Sequence, residues 1–146
     1  MPSPIYVAEP EAAYYKRAAL VVDSSLLAAW VFGEPRAAEA LARIQGHQLY
    51  APTLLLYEMA NIGMNKIRSA QIEVAQATGL LASFRDADIR YESVDGEAIL
   101  HIAAALKLTA YDAAYVYLAE QLQAPLATFD EMLGKAAQGY FAKGVI

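Results

Sequence analysis

Short apolar segments alternate with helix-forming segments along most of this chain. Four of the apolar segments contain the β-branched or aromatic residues that strands favour, and we expect strands over residues 19–23, 48–52, 88–94 and 124–130. Strands that alternate with helices predict a mostly parallel sheet that is covered by helices on both faces. The expected fold class is therefore α/β.

Residues that cap or break helices separate the helical segments. We expect Ser24 or Ser25 to cap the first helix, Thr53 to cap the third, and Gly46 to end the second. The spacing predicts helices over residues 24–32, 35–45, 54–68, 71–85, 95–108, 109–122 and 131–138, followed by an apolar stub at 144–146.

Length and composition indicate one globular domain. The chain has 146 residues, of which 58% are hydrophobic and 18% are charged, so it can fill a core and differs from a disordered chain. Residues 1–18 contain three prolines among the first ten positions. We expect residues 1–18 to form an N-terminal leader that is flexible or contains a short helix, and residues 19–146 to form the domain.

The sequence indicates a soluble, cytoplasmic protein. It contains no cysteine, which excludes disulfides and thiolate metal sites and fits a reducing compartment. The longest apolar run has about a dozen residues and contains Asp23, whereas a membrane-spanning helix needs about 20. The first residues lack the basic start and apolar middle of a signal peptide. We therefore expect no membrane contact.

The net charge of −5 disfavours loose electrostatic binding to nucleic acid. However, several carboxylates that share one metal site would change this balance. Two divalent cations in such a site would bring the charge to about −1. The charge therefore does not exclude a protein that acts on nucleic acid.

Asp23 and Asp130 each lie at the carboxyl end of a predicted strand. Burying a charged carboxylate costs several kcal/mol unless a partner compensates it. One interpretation is that each residue caps the helix that follows, where the helix dipole favours a carboxylate. The other is that the two residues share a site, because ligands of parallel α/β sheets bind outside the carboxyl ends of the strands.

Glu58 and Asp112 are carboxylates in otherwise apolar helices. Leu54 and Leu55 lie on the helical face of Glu58, and no polar stripe is evident there to keep it solvated. We interpret Glu58 as a functional group or as a buried polar group with a partner. Asp112 lies three residues after Thr109, which predicts a capping box. Because the rest of its helix is so apolar, a functional role for Asp112 is equally open.

Two carboxylates from strand ends and two from helices that can lean over those ends predict one acidic pocket. Converging carboxylates repel each other and raise one another's pKa unless cations hold the charge. Mg²⁺ or Mn²⁺ is the natural fit, because these ions prefer oxygen ligands and no Cys or His cluster offers a softer site. Such ions can bind a phosphodiester and activate water.

Four motifs in order resemble those of PIN-domain proteins, specifically the toxins of VapBC toxin–antitoxin pairs. They lie in LVVDSS, YEMAN, YDAAYVYLA and LATFD, and the match covers the chain from about residue 19 onward. Each motif is short, but all four at fitting separations are specific for this family. The residues at the motif positions are, in order, Asp23 with Ser24, Glu58 with Asn61, Asp112, and Thr128 with Asp130.

The resemblance implies a Rossmann-like PIN domain with a Mg²⁺ or Mn²⁺ site and endoribonuclease activity. In this activity, metal-activated water attacks an RNA phosphodiester and leaves a 5′-phosphate and a 3′-hydroxyl. It also implies a homodimer and a cognate VapB-like antitoxin whose C-terminal segment covers the site. The implied catalytic residues and metal ligands are Asp23, Glu58, Asp112 and Asp130, and those expected to orient them by hydrogen bonds are Ser24 or Ser25, Asn61 and Thr128.

Few basic residues are placed to contact RNA phosphates. Lys66 and Arg68 end the helix of the second motif, and Lys107 and Lys135 lie near the other motifs. Each is either a phosphate contact or an ordinary solvated side chain. We expect His101 to be a tolerated helix residue, and the tyrosines to lie in the core or at an interface. The long leader and the Phe of TFD depart from the family pattern, which usually has a small residue at that position.

Two other function classes stay open. A PIN-like binding module with little or no nuclease activity, which acts through a protein partner, would also explain the acidic charge and the apolar, tyrosine-rich helices. A small-molecule enzyme of the Rossmann type is disfavoured. The segment SSLLAAW after the first strand has no glycine that would let a pyrophosphate approach the backbone.

Overall fold

A four-stranded parallel sheet lies at the centre of the protein. The computed structural model describes Tyr6 and residues 17–144. The strands are β1 (Ala19–Val22), β2 (Gln48–Pro52), β3 (Ile89–Glu92) and β4 (Leu126–Ala127). They lie in the order β3-β2-β1-β4, and all three neighbouring pairs are parallel. The sheet confirms the predicted parallel arrangement.

Seven helices connect or follow the strands within residues 17–144. They are α1 (Ser24–Val31), α2 (Ala37–Ile44), α3 (Leu54–Arg68), α4 (Val74–Arg85), α5 (Gly96–Leu106), α6 (Ala110–Leu122) and α7 (Glu131–Gly144). The chain passes from β1 through β2 to β3 on one side of β1, and then returns to β4 on the other side. Right-handed crossovers in opposite directions place helices on both faces of the sheet. The predicted α/β fold class is confirmed.

Strand β1 is the most deeply buried element. Leu20, Val21 and Val22 have no exposed surface, and since successive side chains point to opposite faces, both faces of β1 are covered. Helix α6 packs against both β1 and β2. Its buried residues Tyr115, Leu118 and Ala119 belong to the same hydrophobic cluster as β1. This burial explains why β1 is an unbroken apolar run in the sequence.

Helix α7 is longer than expected. It continues past residue 138 to Gly144, because Tyr140 and Phe141 pack against the hydrophobic core. This packing outweighs the cost of about 1 kcal/mol for a glycine inside a helix at Gly139. The predicted stub is therefore wrong at Gly144, and residues 145 and 146 lie outside the described residues. β4 has two residues, fewer than the predicted segment 124–130.

Two helices begin two or more residues later than expected. α2 begins at Ala37 instead of residue 35, after a turn in which the Ala37 amide donates to the Glu34 carbonyl over 2.9 Å. α4 begins at Val74 instead of residue 71, because Ala70 is left-handed with a φ of 58° and a short turn follows α3. The positive φ of Gly46, 79°, fits its predicted place after α2.

The predicted leader lies outside the described residues except for Tyr6, Arg17 and Ala18. Arg17 forms an exposed ion pair with Asp88 over 3.1 Å. The Ala18 carbonyl accepts a hydrogen bond from the Gln48 amide over 2.9 Å. The chain is thus joined to the sheet from residue 17 onward. Among the helices of the described part of the chain, none has the length and apolar character needed to cross a membrane.

Candidate active site

The site lies at the carboxyl ends of β1 and β4, where the direction of the chain across the sheet reverses. The two strands are neighbours, with Val22 in register with Ala127. Asp23 follows β1 directly, and Thr128 and Asp130 follow β4. Such a switch point leaves a crevice between the loops that diverge from the two strands. Residues that are 105 positions apart, Asp23 and Thr128, therefore come into direct contact.

Asp23 is buried, with 4% of its surface exposed, and its carboxylate accepts three hydrogen bonds. Oδ1 accepts from the Ser25 hydroxyl over 2.8 Å and from the Leu26 amide over 3.1 Å. Oδ2 accepts from the Thr128 hydroxyl over 2.5 Å. Burial raises the pKa of Asp23, the three hydrogen bonds oppose this rise, and the charge of Asp130 adds to it.

The bond from the Leu26 amide identifies Asp23 as the N-cap of α1. The expectation that Ser24 or Ser25 caps this helix is therefore wrong. The capping interpretation holds for Asp23, because Oδ1 caps α1, while Oδ2 contacts Thr128 in the loop that also contains Asp130. Ser25 instead orients Asp23, as the resemblance implied for one of the two serines.

Ser25 and Thr128 connect the loops that follow the two strands. The Phe129 amide donates to the Ser25 hydroxyl over 3.0 Å, and the Asp130 amide donates to the Thr128 hydroxyl over 2.9 Å. Each hydroxyl therefore accepts from the β4 loop while it donates to Asp23. A serine and a threonine can fill both roles because a hydroxyl is a donor and an acceptor at once.

Glu58 enters the site from α3 and is held by a tyrosine of α6. Its Oε1 accepts a hydrogen bond from the Tyr115 hydroxyl over 2.5 Å. Partial burial raises the pKa of Glu58, as do the charges of Asp112 and Asp23, whereas the bond from Tyr115 lowers it. The pKa of Tyr115 is raised, first by burial and then by this bond to a carboxylate. Glu58 is thus a half-buried polar group with a partner, which is one of the two interpretations that the sequence left open.

Asp112 lies in the first turn of α6, and Asp130 directly precedes α7. The Asp112 amide donates to the Thr109 hydroxyl over 3.1 Å, as the capping box predicts. Asp130 is exposed, and its Oδ1 accepts from the Leu133 amide over 3.2 Å, which caps α7. Burial raises the pKa of Asp112, and the charge of Asp130 raises it further. The two carboxylates therefore lie near enough to act on each other.

The charges of the four carboxylates act on one another, and no basic residue of the described chain pairs with them. Within residues 17–144, no Lys or Arg forms an ion pair with any of them. No group of three or more His, Cys, Asp or Glu side chains in that part of the chain is already arranged to hold a metal ion. Carboxylates that raise one another's pKa fit a divalent cation, because added positive charge would relieve their repulsion and draw them together.

Two of the expected orienting residues have no such contact in the structure. Asn61 is exposed, and neither its side chain nor that of Ser24 forms a hydrogen bond with another described residue. The absence of a polar stripe beside Glu58 does not mean that this part of α3 is buried. Leu56 and Tyr57, the neighbours of Glu58, are exposed, so α3 presents an apolar face to solvent.

The basic residues considered for RNA contact differ in their surroundings. Lys66 is paired with Glu34 over 3.0 Å and lies 5.5 Å from the centroid of the Phe32 ring, so its charge is already compensated. Lys135 is paired with Glu131 over 2.6 Å. Arg68 and Lys107 are exposed, and neither has an ion pair with another described residue.

Sequence reasoning missed the role of Tyr115 at the site. The tyrosine is buried in the core, as expected, but its hydroxyl also holds Glu58. The spacing in YDAAY carries the missed signal. Asp112 and Tyr115 are three residues apart on one helix and therefore share a face.

Comparisons with known proteins bear on the same region. The family model described as PIN domain matches residues 20–139. Ribonuclease VapC3 from Pyrobaculum aerophilum is 32% identical over 121 residues, which are 80% of this chain and 92% of that protein. PAE2754 from Pyrobaculum aerophilum has a TM-score of 0.57 at 19% identity, over 88% of this chain and 96% of that chain. VapC20 from Mycobacterium tuberculosis, a sarcin-ricin loop cleaving toxin, has a TM-score of 0.59 at 18% identity, over 80% and 94%.

Replacing Thr128 with valine tests the connection between the two loops. Thr128→Val removes a donor to Asp23 and an acceptor for the Asp130 amide. We expect the free energy of unfolding to fall by about 1–3 kcal/mol, because buried polar groups lose their partners. Urea denaturation measures the change. Thr128→Ser keeps the hydroxyl and serves as the control, and equal midpoints for the valine variant and the parent would contradict the assignment.

The raised pKa values of Asp23, Glu58 and Asp112 predict how metal-free protein responds to pH. Each carboxyl group binds its proton more tightly in the folded state than in the unfolded state. The unfolding free energy contributed by these groups therefore increases as the pH falls from neutral towards about 5. Thermal unfolding in a chelator across this pH range measures the trend. Glu58→Gln is expected to flatten it, and a steady loss of stability over the same range would contradict the prediction.

Proposed function

This chain belongs to the PIN-domain family and is a VapC-type member of it, and from that premise we propose that it is a Mg²⁺- or Mn²⁺-dependent endoribonuclease. The main support for the proposal is electrostatic: Asp23, Glu58, Asp112 and Asp130 lie near enough, around the switch point of the sheet, for their charges to raise one another's pKa. The name of its relative, Ribonuclease VapC3, supports RNA as the substrate. A ribonuclease that acts on cellular RNA works in the cytoplasm, where we place this protein.

The donor set at the site suits a divalent cation with oxygen ligands. Asp23, Asp112, Asp130 and Glu58 would hold it, since all four are carboxylates and none is compensated by a basic residue of the described chain. When bound, Mg²⁺ or Mn²⁺ would supply charge neutralisation for the phosphodiester and a lowered pKa for an attacking water.

Two of the four carboxylates are held by hydrogen bonds from other side chains, and the other two are accessible to solvent. Ser25 and Thr128 fix Asp23 in a buried position, and Tyr115 fixes one oxygen of Glu58. Asp130 is exposed and Asp112 is partly exposed. RNA therefore approaches from the side of Asp112 and Asp130, while Asp23 is held in place at the base of the crevice. Such preorganisation reduces the reorganisation required when substrate binds.

Asp112→Asn tests the nuclease proposal. The change keeps the size and the helix position of the side chain but removes its negative charge. We expect the rate of RNA cleavage in Mn²⁺ to fall by about 100-fold or more, and calorimetry to show weaker Mn²⁺ binding. Asp95→Asn is the matched control, because Asp95 caps α5 through the Glu97 and Ala98 amides.

Two results would count against this assignment. Cleavage by Asp112→Asn at the rate of the parent would remove Asp112 from the site. A parent that cleaves no RNA in either metal but copurifies with a small protein would favour the PIN-like binding module. In that case, the carboxylates would serve the fold or the partner.

We further propose that the protein is the toxin component of a type II toxin–antitoxin pair, with a VapB-like antitoxin as its partner, and that it forms a homodimer. The names of the relatives Ribonuclease VapC3 and VapC20 support the pairing. The exposed apolar face of α3 supports an interface. On this face Tyr57 is 78% exposed, and Leu56 and Met64 are also exposed. Large apolar side chains grouped on one helix face favour association over exposure to water.

Tyr57→Glu tests whether the α3 face joins two copies of this chain. A charge placed there would be buried on association, so we expect the variant to be monomeric at concentrations where the parent is a dimer. Light scattering on the purified chains measures the mass. Leu100→Glu, which charges an exposed apolar residue on α5, is the control and should leave the dimer intact. A dimeric Tyr57→Glu variant would exclude this face.

A further inference from the structure

A cavity of about 670 Å³ lies between α2 and α7 along β4. Thr128, whose hydroxyl donates to Asp23, forms part of its wall, so the cavity adjoins the carboxylate site. β4 is an edge strand and pairs on its other side with β1. The volume is in the range of cavities that hold a small organic ligand. The four carboxylates do not line this cavity, and Thr128 is the residue that connects it to Asp23.

Arg36 and Phe129 form a stack at the wall of this cavity. The Arg36 Cζ atom lies 3.7 Å from the centroid of the Phe129 ring. Glu39 holds the guanidinium in place through two hydrogen bonds, 2.9 Å from Nε and 2.7 Å from Nη2. The Arg36 side chain is nevertheless 53% exposed, so much of the guanidinium is open to a ligand. The planar guanidinium of Arg36 is therefore held on one face by the Phe129 ring and along one edge by Glu39.

The same stack borders a second cavity of about 470 Å³, which Ser25 also lines. Arg36 and Phe129 thus stand between two cavities, and the two hydroxyl residues that hold Asp23 each face one of them. The backbone reinforces this placement, because the Phe129 amide donates to Ser25. A group that rests on the stack is therefore next to the acidic crevice.

The charges around the larger cavity favour an anionic ligand. Arg36, Glu39 and Arg43 are the charged residues that line it, and Glu39 is already bound to Arg36. Arg43 lies one turn after Glu39 on the same helix, and it adds a positive charge that no carboxylate of the described residues pairs with. In a chain with a net charge of −5, an excess of positive charge next to the carboxylates is a local exception.

We infer that this cavity binds a nucleotide of single-stranded RNA next to the cut, with its base stacked on Arg36 and its phosphate near Arg43. The inference rests on the proposed ribonuclease function. Unpaired bases stack on arginine planes as they do on aromatic rings, and arginine also pairs with phosphate. Arg36 is a positioning residue for the substrate. Phe129, which stands where the family pattern has a small residue, supports the Arg36 guanidinium in this arrangement.

Arg36→Ala and Arg36→Lys test the stack through the kinetics of RNA cleavage. We expect both variants to raise KM on a single-stranded oligoribonucleotide about tenfold, with kcat within about twofold of the parent, because substrate binding is lost and the reacting groups are untouched. Lysine keeps the charge but not the plane. Arg90→Ala, which removes an arginine at the far edge of the sheet, should leave KM unchanged. Restoration of the parental KM by Arg36→Lys would overturn the stacking role.

A binding measurement separates this inference from the proposed function. Nucleoside 5′-monophosphates resemble the 5′-phosphate end of a cleaved RNA, and we expect them to shift the amide resonances of Ala42 and Ala137 in the parent but not in Arg36→Ala. If the parent binds nucleotides but does not cleave RNA, the proposed nuclease function is rejected and the assignment of the cavity as a nucleotide site is kept. RNA cleavage without nucleotide binding, and with unchanged KM in the Arg36 variants, would reject the cavity assignment alone. The open edge of β4 would then point to a peptide strand as the occupant.

Discussion

The buried carboxylate of Asp23 is the group on which the site depends. A charge at the end of the most buried strand is tolerated because three donors converge on it, two from the start of α1 and one from the loop after β4. The bond from Thr128 also joins the carboxyl ends of β1 and β4, beyond the short ladder that the two strands share. With only two residues, β4 makes few backbone bonds, so the hydroxyls of Ser25 and Thr128 supply much of the connection at this edge.

The position of Glu58 depends on α6. The helix packs against β1 and β2, and its Tyr115 reaches to Glu58 on α3. The tyrosine ring fills the core while its hydroxyl satisfies the carboxylate. One side chain therefore couples core packing to the position of a site residue. A cavity left by removing the ring would also release Glu58.

The sequence was sufficient to predict the parallel sheet, and the four carboxylates that it singled out lie near enough for their charges to act on one another. Strand-end aspartates in a parallel α/β pattern and a glutamate among leucines are local signals. The contact between Tyr115 and Glu58 was not predicted, because the two residues lie 57 positions apart in the chain. Exposure of Leu56 and Tyr57 was missed for a related reason: an apolar sequence reveals which residues could be buried, but the packing of the whole chain decides which are. Ser24 and Ser25 are equivalent by sequence, and only the turn geometry makes Ser25 the one that contacts Asp23.

Capping and function are compatible roles for three of the four carboxylates. Asp23 caps α1, Asp130 caps α7, and Asp112 lies in the first turn of α6. Each helix N-terminus contributes roughly half a positive charge, so three of them offset about one and a half of the four negative charges. The remainder is still substantial, and the raised pKa values of Asp23, Glu58 and Asp112 reflect it together with burial. The helix ends thus orient the carboxylates without neutralising them, and the negative charge that remains is what the proposed divalent cation would compensate.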